Sequence, residues 1–373
     1  WGGGGEWGIK SLIVILGLIM MYMIYQVATA RSEKGQTGLI LILLSMLNLY
    51  FIDRVLMVRP HVVSQLFYFI NIYALVKNKR AWVFLSAALH ALSYHAYYLI
   101  ILNLCIGLGL QKKIDFKTFA LGSVGLAIGI LLNPYFPDSF MMFLDQIKIG
   151  TMPQQISFHY YYSEMKPKSL WNVLPVHLMV WQIFAFQIYA FSKKGWRQIE
   201  RPEIWVSILG VVWYILFFFN YRSVEFLIPV VLLVSTNFVE RLTQEQERYF
   251  YLGLMITTLL SWPFYGMPDG KKALRAYHQE KFNALDAIPS SERGKKIYNC
   301  SWSDGVFIYY RRPDLKFVDC MDPYFIEKEG HNLSVLKKIM WQGMSDDPYR
   351  VVKEQFGADY VLCSSGRLIQ QLE

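Results

Sequence analysis

Apolar runs follow one another from residue 9 to about residue 266, and a polar tail over 267–373 closes the chain. Stretches of about 18 or more apolar residues with few charges are long enough to cross the hydrocarbon core of a bilayer as helices, which satisfy their own backbone there. The layout therefore predicts a mainly α fold: a polytopic transmembrane helical bundle over 1–266 and a small C-terminal α/β domain over 267–373. Composition agrees, with 54% hydrophobic, 16% aromatic and 17% charged residues; a soluble protein of 373 residues has too little interior to hide that much apolar surface. The formal charge of +9 raises nucleic acid as a partner. However, the basic residues sit in short gaps between apolar runs rather than on one helix or patch, so the partner expected is the lipid bilayer and no nucleic acid.

The candidate spans are 9–27, 38–58, 62–76, 81–110, 118–134, 171–192, 204–220, 223–239 and 249–266. A single helix over 81–110 would reach about 45 Å against a core near 30 Å. It is better split near Ser93, Tyr94 and His95 into two short or re-entrant helices. With that split, the gaps carrying Arg31 and Lys34, Lys77 to Arg80, Lys112 to Lys117, Lys193 to Arg201, and Arg241 to Arg248 all fall on one side. The positive-inside rule makes that side the cytoplasm of an inner membrane, and the tail extracytoplasmic. The chain opens on Trp1 in a Gly-rich stretch with no basic leader, so it reads as a fragment whose preceding segment, spans included, is missing.

The loop over 135–170 places Phe140, Phe143, Leu144 and Ile147 at helical spacing opposite Asp138, Asp145 and Gln146, as in a helix lying in the membrane surface. Tyr160, Tyr161 and Tyr162 follow where aromatic side chains favour the interface; a plain cover over the bundle and a contact to a lipid-linked substrate both fit. In the tail, 296–300, 305–310, 315–319 and 360–363 read as short strands, and 333–342 and 346–356 as helices, the second capped by Gly357. Cys300, Cys320 and Cys363 allow at most one internal disulfide and match no zinc spacing; a Cys300–Cys320 bridge and plain buried thiols both remain open. No dinucleotide, P-loop, zinc-protease or nucleophile-elbow signature is present, nor a defensible internal repeat.

Ionisable groups inside or at the rim of a bundle cost several kcal/mol unless paired or hydrated, so each is a candidate for function. The densest cluster is Asp53, Arg54, Arg59 and His61, with Pro60 fixing the turn and Gln65 and Tyr68 continuing the His61 face at i+4 and i+7. A guanidinium at the mouth of a bundle suits a phosphate or pyrophosphate; the bland alternative is that Asp53 neutralises Arg54 or Arg59. His90 and His95 form a second pair, but five residues apart on a continuous helix they point about 140° from each other, which disfavours a shared metal. Tyr221, Arg222 and Glu225 enter a span at the same face, and Arg222 and Glu225 are spaced to pair with each other.

These positions carry a resemblance. The Arg59-Pro60-His61 turn into an aromatic span, the Leu89-His90 to His95 bend, Asn133-Pro134-Tyr135 closing a span, and Arg222 before Glu225 and Pro229 resemble the bacterial GT-C glycosyltransferase superfamily. In the tail, Tyr298-Asn299, then Trp302-Ser303-Asp304-Gly305, Phe317-Val318-Asp319 and Asp322-Pro323-Tyr324, are similar to the extracytoplasmic domain that follows the bundle in such proteins. The resemblance is a pattern spread over nearly the whole chain rather than one motif. It implies transfer of a sugar from a polyprenyl-phosphate donor to a glycan, lipid or protein acceptor outside the cytoplasm. Arg59 and Arg222, with Arg54, Gln65 and Glu225, would then hold the donor, while His61 or His95 lines the sugar site. The superfamily's usual base is an acid in the first extracytoplasmic loop, which takes the acceptor hydroxyl proton. That loop is expected to precede or just reach Trp1. Glu6 is the acid nearest that end and stands as a catalytic candidate beside Asp53, His61 and His95. Many members use a divalent cation, but no ligand set is recognisable here, so the cofactor stays open.

Two other readings compete. A membrane oligosaccharide polymerase or ligase would share the span count and the arginine-lined face, yet such proteins usually carry their large loop between spans rather than a folded C-terminal domain. A transporter or non-catalytic scaffold is the second; transporters show matched broken helices in repeated halves, and only one broken span is evident.

Overall fold

The computed structural model describes residues 5–29, 35–56, 61–110, 115–151, 173–194, 201–219, 223–264, 279–300, 304–318, 331–363 and 366–372. The fold is mostly helical with one small parallel sheet, and the described residues fall into two compact units, one up to residue 264 and the other from residue 279.

The first unit is all helix: α1 (Gly5–Thr29), α2 (Gly35–Leu47), α3 (Leu49–Leu56), α4 (His61–Val76), α5 (Arg80–Ser93), α6 (Tyr98–Leu110), α7 (Phe116–Leu131), α8 (Asp138–Thr151), α9 (Leu174–Lys194), α10 (Arg201–Phe219), α11 (Val224–Val234), α12 (Gln244–Leu259) and α13 (Ser261–Phe264). The break expected in 81–110 is present, α5 ending at Ser93 and α6 starting at Tyr98. Three other expected spans are not single helices; one is 249–266, where α12 ends at Leu259 and α13 starts at Ser261. The run 38–58 is divided at Asn48, whose side-chain oxygen accepts from the backbone N–H of Tyr50 at 3.1 Å and so starts α3 afresh. The run 223–239 leaves α-helical form after Val234 for two short 3₁₀ turns, Ser235–Asn237 and Val239–Arg241.

Two helical stretches, Ser11–Thr29 and Leu174–Lys193, are long and apolar enough to cross a membrane by length and composition. Val62–Val76, Tyr98–Gly107, Phe116–Leu131 and Val206–Phe218 are apolar but shorter. On α1, Leu12, Ile15, Leu18, Ile19 and Tyr22 are exposed, whereas Ile13, Met20, Met21, Ile24 and Val27 on the other face enter the core. The tightest helix pair is α5 with α7. A side chain at Gly125 would meet the Phe84 carbonyl oxygen, and one at Gly129 the Ala88 carbonyl oxygen, so these glycines let two backbones touch. Helix α8 lies inside the loop over 135–170, and its Phe140 and Phe143 pack toward the core around Tyr97. Tyr160, Tyr161 and Tyr162 lie outside the described residues.

The second unit is a three-layer arrangement on a small scale. Strands β1 (Lys296–Asn299), β2 (Lys316–Phe317) and β3 (Tyr360–Leu362) form a parallel sheet in the order β2-β1-β3. A helix over 279–286 (α14) precedes the sheet, and α15 (Asp304–Arg311) links β1 to β2. Helix α16 (His331–Trp341) and the turn α17 (Pro348–Arg350), which runs into a π turn Val351–Gln355, lead to β3; α18 (Gly366–Leu372) follows. Side chains alternate across β1. Ile297 joins Leu285, Ile308, Leu315 and Leu362 on one face, while Tyr298 and Cys300 join Met340, Val352, Phe356 and Leu368 on the other. Helices therefore cover both faces of a parallel sheet.

The segment 305–310, expected as a strand, is helical instead. Asp304, Gly305 and Ile308 are buried while Tyr309 is exposed, a helical spacing that a short aromatic run does not reveal by alternation. The expected helix over 346–356 is the short α17 and its π turn, and Gly357 follows at φ +59°, the left-handed conformation suited to a helix end. Cys300 is bonded to Cys363 and not to Cys320.

Candidate functional site

Helix α4 carries the polar side chains of the first unit's interior. Ser64, Gln65 and Asn71 are completely buried on it, in a run whose remaining residues are mostly apolar. Glu225, in the first turn of α11 where the helix dipole favours an anion, is 4% exposed. The Gln65 Nε2 donates to a Glu225 carboxylate oxygen. A buried carboxylate costs several kcal/mol unless it is hydrogen-bonded, and the amide provides that bond across 160 residues of sequence. The other end of the amide, Gln65 Oε1, is buried without a hydrogen-bond partner.

The bend between α5 and α6 closes on the same end of α4. His90, at the last turn of α5, places Nδ1 3.1 Å from the Ser64 carbonyl and Nε2 3.3 Å from the Ala96 carbonyl. A neutral imidazole carries one N–H, so one of these contacts is a hydrogen bond and the other fixes ring orientation. His90 is thus a structural residue that ties the bend to α4. His95 is next to Ala96 in that bend, half-buried, with its ring tilted against Tyr94 at 4.4 Å between centroids. Ser64, Gln65, Glu225 and the His95 bend are therefore neighbours at one end of the helical unit.

Of the other candidates, Arg59 and Arg222 lie outside the described residues. Glu6, Asp53, Arg54 and His61 lie on α1, α3 and α4, with only their backbone positions described. The sequence put Tyr68 on the same helix face as His61 and Gln65. The structure seats it in an aromatic core: its hydroxyl accepts from Trp213 Nε1 at 2.8 Å, and Trp213 stacks on Phe226 at 4.6 Å. Glu225 is bonded to Gln65, a partner that the i+3 spacing from Arg222 gave no reason to expect. His177 went unnoticed in the sequence; it is buried near the start of α9, 2.8 Å from the Tyr214 hydroxyl. A single imidazole in an apolar run carries no signal of its own.

At the opposite end of the unit, ion pairs join the basic gaps two by two. Arg80 meets Asp115 at 3.0 Å, which is also the N-cap of α7, and Arg241 pairs with Glu203 while lying over the Phe191 ring at 5.2 Å. Among the described residues, no three of His, Cys, Asp and Glu are grouped to hold a metal ion.

No protein-family model matches the chain, and no curated protein matches it.

Proposed function

We propose that the chain is a polytopic inner-membrane glycosyltransferase of the GT-C kind, transferring a sugar from a polyprenyl-phosphate donor to an extracytoplasmic acceptor. The observation that carries this reading is the buried Gln65–Glu225 pair beside the His95 bend. A bundle has no structural need of a carboxylate at that depth, and the positions that adjoin the pair in sequence, Arg59 and His61 before α4 and Arg222 before α11, are cationic or titratable. The exposed apolar stripe of α1 and the backbone-to-backbone contact of α5 and α7 support the membrane setting. The Cys300–Cys363 disulfide supports an oxidising, extracytoplasmic place for the tail.

On this reading Arg59 and Arg222 grip the donor phosphate, which is also the leaving group. Their fixed positive charge stabilises the negative charge that develops as the glycosidic bond breaks. Gln65 and Glu225 form the floor of the sugar site, the free Gln65 Oε1 accepting from a sugar hydroxyl. His61 or His95 lines its wall. The proton of the attacking acceptor hydroxyl passes to a carboxylate. Glu225 by itself is not a divalent-cation ligand set, so no step is assigned to a metal.

The test is turnover of a polyprenyl-phosphate sugar by membranes carrying Arg59→Ala or Arg222→Ala. Loss of transfer with normal membrane insertion supports the phosphate clamp, and unchanged turnover in both variants removes it.

A further inference from the structure

We propose that the amino edge of the tail's parallel sheet is a docking surface for a linear acidic glycan, one that carries a carboxylate on each repeat. The proposal rests on an extracytoplasmic tail and not on the sugar-transfer reading, so either can fail without the other. Strand register builds the surface. Lys296 opens β1 and Lys316 opens β2, and the two are level partners in neighbouring strands. Strands stand about 4.8 Å apart, so two ammonium groups start from adjacent places on one edge. Like charges placed side by side in a sheet repel, and an anion lying across both relieves the repulsion.

On the other side of β1 the basic edge continues to β3. Asp359, the residue before β3, accepts from Lys353 Nζ at 2.7 Å, and the same carboxylate oxygen lies 3.7 Å from Lys295 Nζ. Its second oxygen accepts from the Lys296 backbone N–H at 3.3 Å. One carboxylate thus gathers two lysines at the start of the sheet, and their side chains stay 49% and 51% exposed. Arg293, just before them, and Lys316 are exposed as well. Against these cations stand Asp359, Glu292 and Asp314, and Asp314 is already bound by Arg312 at 2.9 Å. The edge therefore keeps a net positive charge, although acids slightly outnumber bases in the sequence from residue 279 onward.

The arrangement of the cations selects the partner's shape. They follow the strand order β2-β1-β3 along one edge, which suits a chain whose anions repeat along its length better than a flat bilayer surface. The way into the unit points the same way. Helix α14, its first described element, is tied by Lys281 to Asp304 in the first turn of α15, beyond the carboxyl end of β1. The basic edge is the opposite end of the sheet, remote from that tie. Binding of this kind is electrostatic and gives way to salt.

Lysine acylation of the whole protein in detergent micelles, read peptide by peptide, tests the surface with polyguluronate as the probe and neutral dextran as the control. At low salt polyguluronate should slow acylation of Lys295, Lys296, Lys316 and Lys353 by roughly threefold or more, and salt at about 1 M, which screens charges beyond about 3 Å, should abolish the protection. Dextran should change nothing. Lys296→Gln combined with Lys316→Gln should raise the polymer concentration needed to protect Lys295 and Lys353 by about tenfold, while hydrogen exchange at β1 stays as in the wild type. Three results overturn the proposal: protection of the four lysines no greater than that of Lys117 on the helical unit, a double variant that protects Lys295 and Lys353 at the wild-type concentration, or protection by phosphatidylglycerol vesicles and not by polyguluronate, which would assign the edge to a bilayer.

Discussion

Lys281 on α14 and Asp304 at the first turn of α15 form an ion pair with side chains 5% and 0% exposed. Replacing Asp304 with Ala takes the carboxylate away from the buried Lys281 ammonium and removes an anion from a helix N-terminus. Stranding one member of a buried pair costs about 3–5 kcal/mol. Removing both charges in favour of apolar side chains of similar size is close to neutral. The pair fastens α14 to the start of α15, four residues after Cys300, so the loss should be felt at β1 and the sheet's carboxyl edge. Hydrogen exchange read peptide by peptide in the whole protein isolates this region without requiring the tail to fold alone. At about 1.4 kcal/mol per factor of ten, Asp304→Ala should speed exchange at Lys296–Asn299 and Asp304–Arg311 by roughly 10²–10³-fold, while α9 and α10 stay unchanged. Lys281→Met combined with Asp304→Leu should recover most of the protection. A single variant slowed or sped by less than about tenfold, or a double variant no better than the single, would refute the assignment of the pair as a buried, mutually dependent contact.

Three further outcomes are expected. Gly129→Val drives a side chain into the Ala88 carbonyl and the Ala91 methyl, so about 1–3 kcal/mol of overpacking should lower the detergent melting temperature, whereas Val124→Ala on the half-exposed side of α7 should leave it unchanged. In the tail, hydrogen bonds from Arg311 to Asp286, from Arg312 to Asp314 and from Lys353 to Asp359 hold these carboxyls below their ordinary range. A depressed carboxyl stabilises fully above its unfolded value near 4 and less as pH falls through the folded value. Tail tryptophan fluorescence should therefore report acid unfolding that Asp359→Asn makes less steep. Finally, Gln65→Leu removes the amide that Glu225 relies on, and the loss of a hydrogen bond to a buried charge, about 1.5–3 kcal/mol, should appear as a lower melting temperature that Glu225→Leu in the same background partly restores.

What the sequence reveals of this fold depends on the range of the interaction. The α5–α6 break follows from helix length alone, and Asn48 carries an N-cap signal within its own run. Segment 305–310 is apolar and aromatic enough for a strand; the helix there starts at Asp304, which pairs with Lys281 from 23 residues earlier, a contact absent from any local window. The cysteines pose the same problem in sharper form. Spacing alone leaves the pairing of Cys300 open, and the register of β1 with β3 brings Cys363 beside it.

Helix α4 shows why the site was only partly foreseen. In sequence it is one of several apolar runs with a few polar interruptions. In the structure those interruptions bind different neighbours: Ser64 and His90 from α5, Gln65 and Glu225 from α11, Tyr68 and Trp213 from α10, Asn71 and Ser86 from α5 at 2.9 Å. On the membrane reading, lipid gives helices no hydrophobic reason to associate, so contacts of this kind together with close backbone approach must choose which helices meet. On that reading and the proposed function, polar residues on one face of a span are divided between holding the bundle and serving a ligand, and periodicity cannot separate the two. Tyr68 belongs to the first group because its hydroxyl accepts from Trp213 in the core. On the proposed reading Gln65 belongs to the second, because its amide meets Glu225 beside the His95 bend; the bare Oε1 alone does not mark it, since Asn71 Oδ1 is buried without a partner too. A buried acceptor left bare costs about 1–3 kcal/mol, a cost that, on the proposed function, a sugar hydroxyl bonded to Gln65 Oε1 would remove.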